Sequence, residues 1–150
     1  MVISQICSKH VVTVEKEQTL VEAARRMRES HVRDLVVVEA KEDKVTPVGM
    51  LTDRDIVIAV VADNIDRFNS ILVGDVMSFE LVTAREDESL TDVLERMGTS
   101  GIRHIPVVGF SGELTGLLSF DDVICLLASL MRDLAALTCS EREREREERS

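Results

Sequence analysis

The sequence predicts an α/β (α+β) fold made of two duplicated β-α-β-β-α modules packed on one another. Three observations carry this. Residues 6–38 match residues 76–108 at a constant offset of 70. After one shortened loop the offset becomes 67, and residues 49–56 match residues 116–123. Both stretches also run through the same series of local patterns, which is the mark of one supersecondary unit used twice. A single unit of this size cannot cover both faces of its own sheet, so the two are expected to share their burial.

The elements follow in order. Residues 11–14 and 81–84 are short extended segments. Amphipathic helices are predicted over 20–29 and 90–97, because Leu20, Ala23, Ala24 and Met27 share one face, as do Leu90, Val93, Leu94 and Met97. Thr19 with Glu22 and Ser89 with Asp92 have the spacing of N-terminal capping pairs. The runs 35–38 and 105–108 are β-branched and nearly continuous, as suits strands covered on both faces. Further strands are predicted at 45–51 and 114–118, with Pro47 at an edge, a bulge or the strand start because it has no N–H. Closing helices begin near Asp53 and Phe120.

Residues 1–66 are read as module 1, 67–137 as module 2 and 138–150 as a charged flexible tail. From Ser140 onward Glu and Arg alternate with no apolar face, so this segment is expected to be solvated and frayed. Acidic residues number 28 against 18 Lys and Arg, giving a formal charge of -10. That balance repels phosphate backbones and argues against nucleic-acid binding, while leaving room for a small anion in a local cleft. Cys7, Cys125 and Cys139 form no CxxC pattern and have no nearby His, so no disulfide scaffold or metal site is expected, and a reducing cytoplasmic setting is. The longest apolar runs, 56–62 and 123–131, are short for a bilayer, and no signal peptide or membrane span is expected. His10 and His31 are read as structural or solvated, Met27 and Met97 as core fillers, and Phe68 and Phe79 as packing residues near the connecting segment.

The pattern Gly-x-x-[Ser/Thr]-x-x-Asp occurs twice, as Gly49, Thr52, Asp55 and as Gly116, Ser119, Asp122. A strand ends and a helix begins at the hydroxyl residue. Free backbone N–H groups there suit a phosphate, and the carboxylate three residues on suits a ribose diol. The same spacing is that of an ordinary helix cap, and both roles fit these residues.

The chain resembles the CBS domain family, specifically a tandem pair, or Bateman module. The segments TLVEAARRM, VRDLVVVE and GMLTDRDI in the first copy, and SLTDVLERM, GIRHIPVV and GLLSFDDV in the second, carry the resemblance. It implies modules related by a pseudo-twofold axis with two clefts between them. One or both clefts would hold AMP, ADP, ATP, S-adenosylmethionine or a relative. It also implies a homodimer and a separate or attached protein under regulation. Basic residues before the central strand hold phosphates in the family, which points to Arg103 and His104. The first expected site therefore joins Ser119, Asp122, Arg103 and His104 to Thr13 and Val14 of the opposite copy. The second joins Thr52, Asp55, Arg33 and Arg54 to Thr83, with Asp34 opposing a phosphate there. Arg103 and His104 also fit a solvated strand edge, and Arg54 a helix surface.

Regulatory adenine-nucleotide sensing without catalysis is the function this implies. The alternative is a structural or interaction module with vestigial clefts. The sequence has no HExxH, no nucleophile elbow and no Walker A motif, so enzymatic activity is not expected.

Overall fold

The structure is a computed structural model that describes residues 1–63 and 65–149; Asn64 of the connecting segment and Ser150 of the tail lie outside them. In module 1, β1 (Thr13–Glu15) runs parallel to β2 (Asp34–Lys41), and β3 (Lys44–Thr52) returns antiparallel to β2. A parallel neighbour needs a crossover, and α1 (Leu20–Ser30) supplies it. The short helix α2 (Asp53–Val57) follows β3 and continues as a π turn over Ile58–Ala62. After α3 (Val73–Val76), module 2 repeats the plan. Its sheet is β4 (Ala84–Arg85), β5 (His104–Val108) and β6 (Leu114–Ser119), crossed by α4 (Leu90–Ser100) and followed by α5 (Phe120–Glu148).

Local chemistry fixes the element ends. Thr19 Oγ1 accepts from Glu22 N at 3.2 Å and Thr19 N donates to Glu22 Oε2 at 2.7 Å, closing a reciprocal cap on α1. In module 2, Ser89 Oγ accepts from Asp92 N at 3.2 Å. Both helices stop at a left-handed residue, Gly101 (φ 65°) in α4 and His31 (φ 54°) in α1. His31 thus has a backbone role that its residue type does not advertise. Pro47 sits opposite Val38 where the β2–β3 register shifts, so it occupies a bulge.

The two cores are apolar throughout. One gathers Val14, Leu20, Leu35, Val37 and Leu51, and the other Ala84, Val93, Ile105, Val107 and Leu118. Each core also takes residues from outside its own sequence block. Ile3 and Cys7 pack into the module 2 core, while Val73 and Met77 pack into that of module 1. Ser8 bridges to Leu117, and Ser78 to Met50. The matched segments 6–8 and 76–78 therefore change places. Each module's core is thus completed by chain from the other block.

α5 departs most from expectation. It is one helix of 29 residues, and Val123 is its one buried residue among those described. No break falls near residue 137, and the helix runs on to Glu148 instead of fraying at Ser140. Extending an existing helix is easier than nucleating one, and the alternation places Glu and Arg together at i,i+3. By length and composition α5 is also long and apolar enough to cross a membrane. Arg132 and Asp133 divide this apolar stretch.

Candidate functional site

The pseudo-twofold relation brings the starts of β2 and β5 face to face. Asp34 and His104, matched at offset 70, meet there: His104 Nε2 lies 3.3 Å from Asp34 Oδ2, both side chains largely buried. A cleft of about 490 Å³ opens beside this pair between the modules. Module 1 lines it with Arg33, Asp34, Met50 and the strand-to-helix residues Thr52 to Asp55. From the other side come Ser78, Glu80, Leu81, Val82, Ile102, Arg103, His104, Phe120 and Asp121. Its size is that of a small-molecule site.

Thr52 ends β3 and caps α2. Asp55 N donates to Thr52 Oγ1 at 3.1 Å, and Thr52 N donates to Asp55 Oδ2 at 2.9 Å. Ser119 and Asp122 do the same at the start of α5, with Ser119 N and Oγ donating to Asp122 Oδ2 at 2.9 and 2.6 Å. Both hydroxyl–carboxylate pairs are therefore helix caps here. The capping bonds fall on Oδ2 of each Asp.

The arginines divide by role. The Arg103 guanidinium lies 5.1 Å from the Phe120 ring centroid, and the Arg103 carbonyl accepts from Phe120 N at 2.8 Å. Arg103 is thus held on the cleft wall by an aromatic plate that sequence reading did not single out. Arg54 is exposed on the first turn of α2. Arg26 and Arg96, not considered as site residues, donate to the carbonyls of Thr13 and Thr83 in matched fashion, the second at 2.8 Å. They brace the extended segments where these enter β1 and β4.

Of the expected residues, Arg33, Thr52, Arg54, Asp55, Arg103 and His104 share the one cleft. The set placed first is divided. Arg103 and His104 face Thr52 and Asp55, because the twofold relation points the start of β5 across at module 1. Asp122 instead lines a separate depression with Met1, Gln5, Ile6, Cys125 and Leu126. Thr13 pairs with Val36 in the sheet, and Thr83 is partly buried just before β4. Val14 is 1% exposed in the module 1 core, so its side chain serves packing and is not offered to a ligand. Leu81 and Val82 line the cleft, and only the repeat alignment with residues 11 and 12 pointed to them.

Electrostatically the cleft leans acidic. Asp34, Asp53, Asp55, Glu80 and Asp121 face Arg33, Arg54 and Arg103, with His104 as a further cation when protonated. Burial raises the Asp34 carboxyl above its ordinary range, His104 opposes that shift, and Asp53 and Asp55 add to it. A raised carboxyl favours the fold below the ordinary carboxylate pKa, and that contribution is lost as pH rises through the raised value. Replacing Asp34 by Asn should therefore make the melting temperature gain, variant minus wild type, grow as pH is taken from 4 to 7. Thermal melts at matched ionic strength measure it. Among the described residues no group of three or more His, Cys, Asp and Glu is arranged to hold a metal ion.

The CBS domain profile matches residues 3–62 and 73–129. The CBS domain-containing protein YhcV of Bacillus subtilis is 37% identical over 113 residues, which is 75% of this chain and 76% of its own length. An uncharacterised protein of Methanopyrus kandleri is 30% identical over 122 residues, covering 81% of this chain and 60% of the relative, so this chain spans under two thirds of that protein. Among solved structures, a CBS domain pair in complex with 5′-methylthioadenosine and S-adenosyl-L-methionine superposes with a TM-score of 0.72 at 25% identity. That match covers 85% of this chain and 99% of the other.

Proposed function

The chain belongs to the CBS domain family, and from that premise we propose that it is a regulatory module whose intermodule cleft binds an adenosine-containing small molecule without transforming it. One observation carries the reading. The cleft joins Thr52 and Asp55 of one module to Arg103 and His104 of the other, so a ligand seated there touches both halves. Binding then favours one arrangement of the two modules, which a separate regulated protein senses. In this reading the ribose hydroxyls are taken by Asp55 through the oxygen its cap does not use. The base lies against Leu81 and Val82, and Arg103 and Arg54 face the ligand's anionic end.

The excess of carboxylates argues for a ligand with little net negative charge. S-adenosylmethionine, a cationic sulfonium with a carboxylate, suits five carboxylates and three guanidiniums better than a triphosphate does. A structural relative that binds S-adenosyl-L-methionine and 5′-methylthioadenosine supports this choice. The expected compartment is the cytoplasm, where such compounds are dissolved.

A thermal-shift panel of S-adenosylmethionine, 5′-methylthioadenosine, AMP, ADP and ATP at millimolar concentration tests the reading. A ligand at about 100 times its Kd stabilises by about 2.7 kcal/mol, which a melt resolves easily. We expect the first two to raise the melting temperature more than ATP. The second reading, a vestigial cleft in an interaction module, draws on the closed caps at Thr52 and Ser119 and on the Asp34–His104 pair. It expects no shift from any of the five.

A further inference from the structure

We propose that the Asp34–His104 pair is a proton-operated clasp between the two modules, and that through it the cleft accepts anionic ligands more readily as pH falls. The ligand half rests on the binding reading of the cleft; the clasp does not.

The pair sits where the modules meet. Positions 34 and 104 are equivalent in the repeat, so the pseudo-twofold axis turns the two side chains toward each other. Identical residues there would oppose like to like. This chain puts a carboxylate on one side and an imidazole on the other, 3.3 Å apart and largely withdrawn from water. The ion pairs Lys16–Glu39, Lys41–Glu39, Arg85–Asp87 and Arg96–Glu88 each stay within one module, whereas this one joins the two. It is also tied to both strand-to-helix junctions. In the sheet registers Asp34 lies opposite Thr52, and His104 opposite Ser119, the two capping residues. The carbonyl just before each, on Arg33 and on Arg103, accepts from the first N–H of the following helix, Asp53 N at 2.9 Å and Phe120 N at 2.8 Å. Movement of either partner therefore displaces a cap.

The surroundings set the sign. Asp34 faces Arg33 on its own strand, Asp53, Arg54 and Asp55 at the start of α2, and Arg103 and His104 from module 2. Glu80, from the segment leading to β4, and Asp121 of α5 complete the wall, while Asp122 is engaged in its cap with Ser119. The five carboxylates outnumber the three guanidiniums, and a protonated His104 narrows the excess by one charge. Imidazole is the side chain whose ordinary charge change falls in the physiological range. Protonated, the ring gives the buried carboxylate a cation. Neutral, it keeps at most a hydrogen bond and leaves Asp34 facing Asp53 and Asp55. Burial and those two acids already push the Asp34 carboxyl up, against the pull of His104. One proton thus tightens the clasp and makes the cleft less acidic, so module packing and the choice of ligand charge move together.

Two measurements on the full chain test this. A double-mutant cycle of Asp34→Asn and His104→Gln, read by urea melts, gives the coupling within the pair. It is expected to change the unfolding equilibrium constant about tenfold at about pH 6 and less than about twofold at about pH 8. Equal coupling at both pH values, or none at either, would overturn the clasp. Calorimetric titration then compares AMP with the uncharged 5′-methylthioadenosine in wild type and in His104→Gln. Between the same two pH values, falling pH is expected to raise the AMP preference of wild type about fivefold relative to that of the variant. The phosphate itself titrates near about pH 6, but equally in both proteins. A relative preference that does not move with pH would overturn the ligand half. Neither compound binding, with the coupling still pH-dependent, would overturn the binding reading and the ligand half together and support the clasp.

Discussion

Gly49→Ala is expected to lower the unfolding free energy by about 2–3 kcal/mol and the melting temperature by roughly 5–10 °C. A Cβ at this position would lie 2.8 Å from both Met77 Sδ and the backbone oxygen of Ser78. Met77 is flexible at its end, but the Ser78 carbonyl is not, because Ser78 N is tied to the Met50 carbonyl at 2.9 Å. The clash therefore pushes the segment 77–78 off β3. Gly116 repeats the situation against Cys7 Sγ at 2.7 Å and the Ser8 carbonyl at 2.9 Å. These glycines let the exchanged segments lie against the strands that lead into the two caps. Urea melts measure the loss. Ligand affinity should fall with it for Gly49, since Met50 and Ser78 both line the cleft.

Asp55→Ala should weaken ligand binding by about 10- to 100-fold, the value of a hydrogen bond to a charged group. The variant also loses the carboxylate half of the α2 capping box, the bond from Thr52 N, worth about 1 kcal/mol of stability. Asp122→Ala supplies the control, because Asp122 caps α5 with the same geometry but opens onto a different depression. Calorimetric titration of both variants separates the two effects. Equal stability losses with an affinity loss confined to Asp55→Ala is the expected pattern. Equal affinities in the two variants would remove Asp55 from the ligand's contacts.

Much of the fold was legible because it is written twice. Leu20, Met27, Leu90 and Met97 mark the helix faces, Thr19 and Ser89 the starts, and Pro47 an edge, a bulge or a strand start, of which the register shift selects the bulge. Each rests on a local rule that tertiary packing had no reason to override. What the sequence did not disclose depends on how distant pieces meet. Ile3 and Cys7 stand at the start of module 1 but serve the core of module 2, and hydrophobicity alone carries no address. Repeat logic alone places Arg103 and His104 beside Ser119 of their own copy. The approach of β2 and β5, with Asp34 against His104, turns them toward Thr52 instead. An aromatic residue after a cap has no local signature, so the use of Phe120 as a plate under Arg103 appears only in three dimensions. The Glu/Arg run lacks an apolar face and by composition predicts fraying, yet it inherits a helix already formed upstream.

The most direct test of the cleft is a crystal structure of the chain grown with saturating S-adenosylmethionine. Adenosine density bridging Asp55 of module 1 and Arg103 of module 2 is the expected result. An empty cleft, or ligand seated only beside Asp122 and Met1, would contradict it.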